Sequence, residues 1–541
     1  MTATSVIMSA LTLAATSGDL PVNGGVRLPE SLVGNPLVEE WDTPYQTPPF
    51  SEIELAHYEP AFDYAIAVNR AEVEAIINNP EAPTFENTIV AMTESGELLG
   101  RVAGLFFVLN NCSTSDEMQQ IAMNITPKLT ELENDISLNP ELFARVKAVY
   151  DQRKKLKLDE QDMQLLEDTY KGFARSGALL EGQDKELYRE YSSELSQLTL
   201  KFGQNAQAAT NAFSYNITDP AKVEELPAFV KEGLAAEAEA RGEKGWTVTL
   251  HAPSYSPFMT YSTQRDIKEA LYRAYNTRGI GGETDNVENI RRIAELRLKI
   301  ANLLGYKCYA DYVLEDRMAE STKTVNGFLA ELNKATLSYA KKDVAAITEY
   351  AHSLGFEGEL APWDFGYYNE KYKEAKYAIN DEQIKPYLQL ENVKNAVFML
   401  AGKLYGLTFT PVDNIETYHP EATVYEVRDD KGELMAILYL DFFPRESKRQ
   451  GAWMTEFRGV KVKDGKEQRP LVQLVMNFTK PTTNTPSLLT FDEFTTFLHE
   501  FGHGLHGILA RGKYESINGT SVKRDFVELP SQIMENWATE K

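Results

Sequence analysis

The chain is poor in the residues that would make it a disulfide scaffold, a nucleic-acid binder or a membrane protein. It has two cysteines in 541 residues, Cys112 and Cys308, without metal-ligand spacing. Free thiols are therefore expected, and the redox compartment stays open. No lysine- or arginine-rich patch occurs, and 55 basic against 80 acidic side chains give a formal charge of −25. Nucleic acid is accordingly not an expected partner. Long apolar runs are also missing. The notable N-terminal run, residues 6–15, has ten residues, too short to span a bilayer but suited to a signal-peptide core. No Lys or Arg precedes it, and Thr16 follows where a lipoprotein would carry cysteine. Residues 1–25 are thus expected to be a leader remnant, with an exported or periplasmic location, or a tail on a cytoplasmic protein. Internal repeats and low-complexity linkers are absent.

What is present is length and helical periodicity. The chain is long enough for two or more domain-sized units with a large core. Phe62, Ile66, Val73 and Ile77 share a helix face before Asn79-Pro80 ends the run. Leu187, Tyr191, Leu195, Leu198 and Phe202 form a second stripe, and Val325, Phe328, Leu329 and Leu332 a third; all three read as core stripes. Strand-like runs are few: residues 246–250, 435–441 and 471–478. The last of these is a place where an extended peptide would pair. The expected fold is mainly α with small β-sheet elements, divided into a helical region at 26–252 and a catalytic region at 253–541.

The chemistry concentrates near the end of the chain. His499-Glu500-Phe501-Gly502-His503 puts two imidazoles four residues apart, about 40° from each other on a helix, so both reach one ion with Glu500 beside them. Glu528 supplies a third ligand, which matches a catalytic zinc that keeps its fourth position for water. Thr490 and Glu493 form a capping box, and Phe494, Phe497, Leu498, Phe501, Leu505, Ile508 and Leu509 make one apolar face. His499, Glu500, His503 and His506 fall on the opposite side. Gly502, Gly504 and Gly507 each cost a helix about 1 kcal/mol relative to alanine, so substrate or a neighbouring strand is expected to approach there. His506 is expected to support the site rather than ligate, because the metzincin pattern needs a histidine where Leu509 stands. If residues 525–538 are helical, Asp525, Glu528, Gln532, Glu535 and Asn536 share one face, with Phe526, Ile533, Met534 and Trp537 opposite. Metal-bound imidazoles need an acceptor for their second nitrogen, and Asp525 and Glu535 are the candidates.

This block, with Gly519-Thr520, Leu529-Pro530-Ser531-Gln532 and Glu535-Asn536-Trp537, resembles the active-site region of the thimet oligopeptidase-like zinc metallopeptidase family. Residues 35–37, 79–88, 95–99, 362–364 and 451–454 carry the resemblance back to about Asn35, most closely toward its dipeptidyl carboxypeptidase branch. It implies a zincin-type fold with helical walls around a deep cleft. It also implies one zinc ion held by His499, His503 and Glu528, with Glu500 as the catalytic carboxylate. The implied reaction is release of C-terminal dipeptides from short peptides by a monomer. Internal cleavage by an oligopeptidase, or a zinc- and peptide-binding fragment without turnover, are the alternatives. Members of the family continue well beyond the position of Lys541, into a region carrying tyrosine and histidine side chains that bind the substrate and the tetrahedral intermediate. The catalytic region is therefore expected to be C-terminally truncated.

Overall fold

The computed structural model describes residues 22–463 and 465–540. The apolar run at 6–15 lies outside the described residues. Helices dominate from the start: α1 (Tyr58–Ile77), α2 (Glu97–Cys112), α3 (Asp116–Ser137), α4 (Pro140–Gln152), α5 (Glu160–Arg175) and α6 (Gly182–Asn211). The α1 stripe is buried as its spacing demands, with Phe62 and Val73 entering two adjoining cores that α2 to α5 complete. The stripe on α6 is only half buried, and its last member, Phe202, is exposed. Next come β1 (Ser214–Ile217), α7 (Ala228–Ala240) and β2 (Trp246–Thr249), the two strands pairing antiparallel beside a separate small core.

After α8 (Val287–Leu303) the chain enters α9 (Thr322–Ser353), where the sequence expectation fails. Phe328, Leu329 and Leu332 are 64%, 51% and 47% exposed, and the helix is buried only toward its C-terminal end, at Ile347 and Ala351. Periodicity shows that a helix has an apolar face; it does not supply the surface that would cover it.

Eight of the elements that follow build the body that carries the site. They are α10 (Leu390–Tyr405), β3 (Thr408–Pro411), β4 (Thr423–Arg428), β5 (Leu434–Asp441), β6 (Trp453–Arg458), β7 (Leu471–Val475), α11 (Phe491–Ile508) and α12 (Glu528–Glu535). The strands form one sheet in the order β3-β4-β5-β7-β6, with β5 and β7 parallel and the other pairs antiparallel. Leu471 to Val475 lie opposite Ile437 to Asp441 on one side and opposite Arg458 to Trp453 on the other. Both edges of β7 are therefore occupied, and the peptide pairing expected along 471–478 has no free edge there. β6, beyond β7, is the edge strand on that side. β5 reads Leu-Met-Ala-Ile-Leu-Tyr-Leu-Asp and is buried on both faces, which explains its nearly unbroken apolar run. Leu438 and Leu440 face α10 and α11, while Ile437 and Tyr439 pack with Phe457 and Phe50 on the other side. Among the described residues no helix is long and apolar enough to cross a membrane.

Candidate metal centre

α11 begins as its sequence specifies. Thr490 Oγ1 accepts from the Glu493 amide at 3.0 Å, and Glu493 Oε2 accepts from the Thr490 amide at 2.8 Å. Glu493 also accepts from the amide and hydroxyl of Thr479, tying the helix start to the chain leaving β7. Phe497, Leu498, Phe501, Leu505 and Ile508 are buried against the sheet. That burial fixes the helix rotation, and the rotation sends His499, Glu500 and His503 to the other side.

The glycines answer to close neighbours. A Cβ on Gly502 would stand 2.6 Å from Ser531 Cα and 2.7 Å from Pro530 O, so α12 lies directly against the α11 backbone. A Cβ on Gly504 would meet Leu474 of β7 at 3.2 Å, and one on Gly507 would meet Glu456 Oε1 of β6 at 2.5 Å. The approach of α12 brings Glu528, at its first turn, over the two imidazoles.

Glu528 Oε2 lies 3.1 Å from His499 Nε2 and 3.0 Å from His503 Nε2, and the three candidate ligand atoms all fall within 4.8 Å of one another. With metal bonds of about 2.0–2.2 Å to nitrogen or oxygen, the edge of a tetrahedral site is roughly 3.3–3.6 Å. The two Glu528–imidazole spacings fall a few tenths of an ångström short, a gap that small side-chain movements close. The donor set of two nitrogens and one carboxylate thus fits a single divalent ion with an open position. Behind it, His499 Nδ1 lies 2.6 Å from Glu535 Oε1, so an Nδ1 proton donated to Glu535 leaves the Nε2 lone pair free. Ser531, not singled out from sequence, donates its hydroxyl to Glu528 Oε2 at 2.8 Å. Its position three residues after Glu528 on the same helix was the available signal.

Other candidates sit elsewhere. Asp525 accepts from the Met318 and Ala319 amides, both at 3.0 Å, and so secures the loop before α9 rather than an imidazole. His506 is half buried outside the cluster, with Nδ1 unpartnered and its pKa lowered by burial. The second helix is shorter than expected, and only Met534 of its apolar face is deeply buried; Ile533 and Trp537 remain exposed.

Burial divides the carboxylates. Glu500 is 5% exposed, and burial pushes its pKa up to about 7, with His499 opposing the shift and Glu528 adding to it. Burial also acts to raise Glu528, but Ser531 and the two imidazoles outweigh it and hold that carboxyl below its ordinary value. His503 is lowered by burial, against the pull of Glu528. The two carboxyls are thus pushed in opposite directions, and the raised one, Glu500, is not among the clustered ligand atoms.

Comparison with known proteins places this geometry. The profile of peptidase family M3 matches residues 258–541. Dipeptidyl carboxypeptidase from Escherichia coli (strain K12) is 37% identical over 511 residues, spanning 93% of this chain and 74% of that protein. Oligopeptidase A from Salmonella typhimurium is 34% identical over 513 residues, spanning 94% of this chain and 75% of that protein. The chain is mostly helical and belongs to peptidase family M3, as a metallopeptidase that hydrolyses peptides.

Proposed function

We propose that the chain is a zinc peptidase that removes dipeptides from the C-termini of short peptides. The observation that carries the reading is the convergence of His499, His503 and Glu528. The nitrogen and carboxylate donors suit zinc, and the identity to a dipeptidyl carboxypeptidase supplies the exo-acting preference. Zinc at this site supplies Lewis acidity toward water and toward the scissile carbonyl. Glu500, beside the ligands but not among them, takes the proton of the attacking water and delivers it to the leaving amine. Glu535 fixes the His499 ring, and Ser531 fixes the Glu528 carboxylate. β6, the edge strand in contact with α11, offers backbone groups to an extended substrate.

Internal cleavage is the second reading, favoured by the nearly equal identity to an oligopeptidase A. A peptide with a free C-terminus and its amidated form separate the two. Dipeptide-by-dipeptide shortening of the free form, with slow cleavage of the amide, supports the first; equal rates and internal cuts support the second. Zinc content of the purified chain, expected at one ion and sharply weakened by Glu528→Ala, tests the ligand set. Retention of zinc by that variant under mild chelation removes Glu528 from it.

A further inference from the structure

Glu528 stands where a run of turns becomes α12. The Phe526 and Val527 amides donate to the Lys523 carbonyl at 2.9 and 3.2 Å, and the Leu529 amide donates to the Phe526 carbonyl at 2.9 Å, so residues 523–529 form one hydrogen-bonded ladder. Just after Glu528 the ladder is seated on α11, where Pro530 and Ser531 occupy the space beside Gly502. Just before Glu528 it is held by a distant part of the chain. Asp525 Oδ1 accepts from the Met318 amide and Oδ2 from the Ala319 amide, both at 3.0 Å, and Lys523 pairs with Asp316. Both oxygens of one carboxylate thus meet consecutive backbone donors, which fixes direction as well as distance.

The loop that receives Asp525 is itself anchored. It follows the short helix Tyr309–Leu314, and the Asp316 and Arg317 amides donate back to the Val313 and Leu314 carbonyls at 3.2 and 3.1 Å. Arg175, the last residue of α5, donates to the Tyr312 carbonyl at 2.7 Å, and its guanidinium lies 4.5 Å from the centre of the Tyr312 ring. A chain of contacts therefore runs from the helical region, through Tyr312 and the loop, to the turn that carries Glu528. Asp525 lies at the surface, so this contact covers no core. Its consequence is where the turn sits.

We propose that Asp525 is a positioning residue for the metal centre: by holding the turn on the Met318 and Ala319 amides, it places Glu528 over His499 and His503. The role rests on the reading of those two histidines and Glu528 as metal ligands. Glu528 is the first residue of α12, and helix ends fray, so the seat beside Gly502 alone leaves the ligand on a loose end. With Asp525 clamped, the ligand is held from both sides. The tolerance is narrow, because metal–oxygen bonds of about 2.0–2.2 Å hold to within about 0.2 Å.

The test titrates the metal-free full chain with Co²⁺, whose visible absorption reports its ligands, and compares the parent with Asp525→Asn, Glu528→Ala and the double variant. Asparagine keeps the size of the side chain but leaves one accepting oxygen for two amides. Affinity should fall about tenfold, the lower end of the range for groups that support a ligand, and the spectrum should shift toward that of Glu528→Ala. In the double variant Asp525→Asn should cost nothing further, because a clamp that acts through Glu528 has nothing left to place. Met318→Pro removes one donor amide without touching the turn, and should weaken the metal in the same direction even if Asp525→Asn misfolds. Circular dichroism of the metal-free proteins reports folding. Unchanged affinity in a folded Asp525→Asn or Met318→Pro chain, or an undiminished further loss in the double variant, overturns the positioning role and leaves the ligand set intact. Unchanged affinity in Glu528→Ala, or no binding by the parent chain, overturns the ligand set and the positioning role with it.

Discussion

α11 and α9 are both long amphipathic helices with apolar residues at helical spacing, yet one lies in the core and the other stands largely in solvent. Phe497 and Phe501 are fully buried between α10 and the sheet, while Phe328 and Leu329 on α9 are exposed. The difference lies in what the chain places nearby. α11 follows β7 closely, and its cap is tied to Thr479 at the end of that strand, so the helix is delivered onto the sheet it must cover. α9 follows a loop held by Asp525 and Asp316 and meets packed structure only near its ends. Amphipathicity proposes a buried face, and chain topology decides whether a partner arrives.

The comparison extends to the polar faces. On α11 that face is covered by α12, which brings Glu528 over His499 and His503; no comparable cluster that could hold a metal ion occurs elsewhere among the described residues. The largest expected effect is therefore on chemistry. Glu500→Gln should lower kcat by about 10²- to 10⁴-fold, the usual contribution of a general acid–base group, with metal content unchanged. Metal analysis beside single-turnover rates checks this; loss of the metal would make Glu500 a ligand rather than a base. Next in size is the buried face. Phe501→Ala should cost about 3–5 kcal/mol in denaturant unfolding, because it removes a fully enclosed ring that packs on Phe398, Phe409 and Phe497.

Much of this site was legible in the sequence because local rules and long-range packing agreed there. The capping box, the apolar face and the four-residue histidine spacing are all local, and each specifies α11 without reference to the rest of the chain. Glu528 was legible as a companion, but only folding could show that Gly502 admits α12 close enough for Ser531 to hold that carboxylate. Asp525 was misplaced for a related reason: a carboxylate one turn before Glu528 faces the right way only if the helix already includes it, and α12 starts at Glu528. In the sheet, residues 435–441 and 471–478 stood out because buried strands are continuously apolar. β3, β4 and β6 did not, since their mixed sequences are decided by register.

A smaller effect sharpens what α12 contributes. Glu535→Gln keeps the shape of the side chain but replaces the carboxylate that accepts from His499 Nδ1 with a weaker acceptor. Metal affinity should fall by about 10- to 100-fold, the range seen when such supporting partners are changed, while the unfolding midpoint of the metal-free protein stays nearly constant. Competition against a chelator measures the first quantity and thermal denaturation the second. An unchanged metal affinity would mean that the His499 ring is oriented by the packing of α11 alone.

The smallest effect is the one that tests α9. If its outer face is free in the isolated chain, Phe328→Ala should change the unfolding free energy by no more than about 0.5 kcal/mol, as for exposed positions in general, against the several kcal/mol expected for Phe501→Ala. Both are phenylalanines on apolar stripes of long helices, so side-chain chemistry is held constant and only burial differs. Denaturant unfolding of the two variants at several protein concentrations is the measurement. A cost above about 2 kcal/mol for Phe328→Ala would show that α9 is covered in solution, and a concentration dependence of that cost would identify the cover as a second copy of the chain.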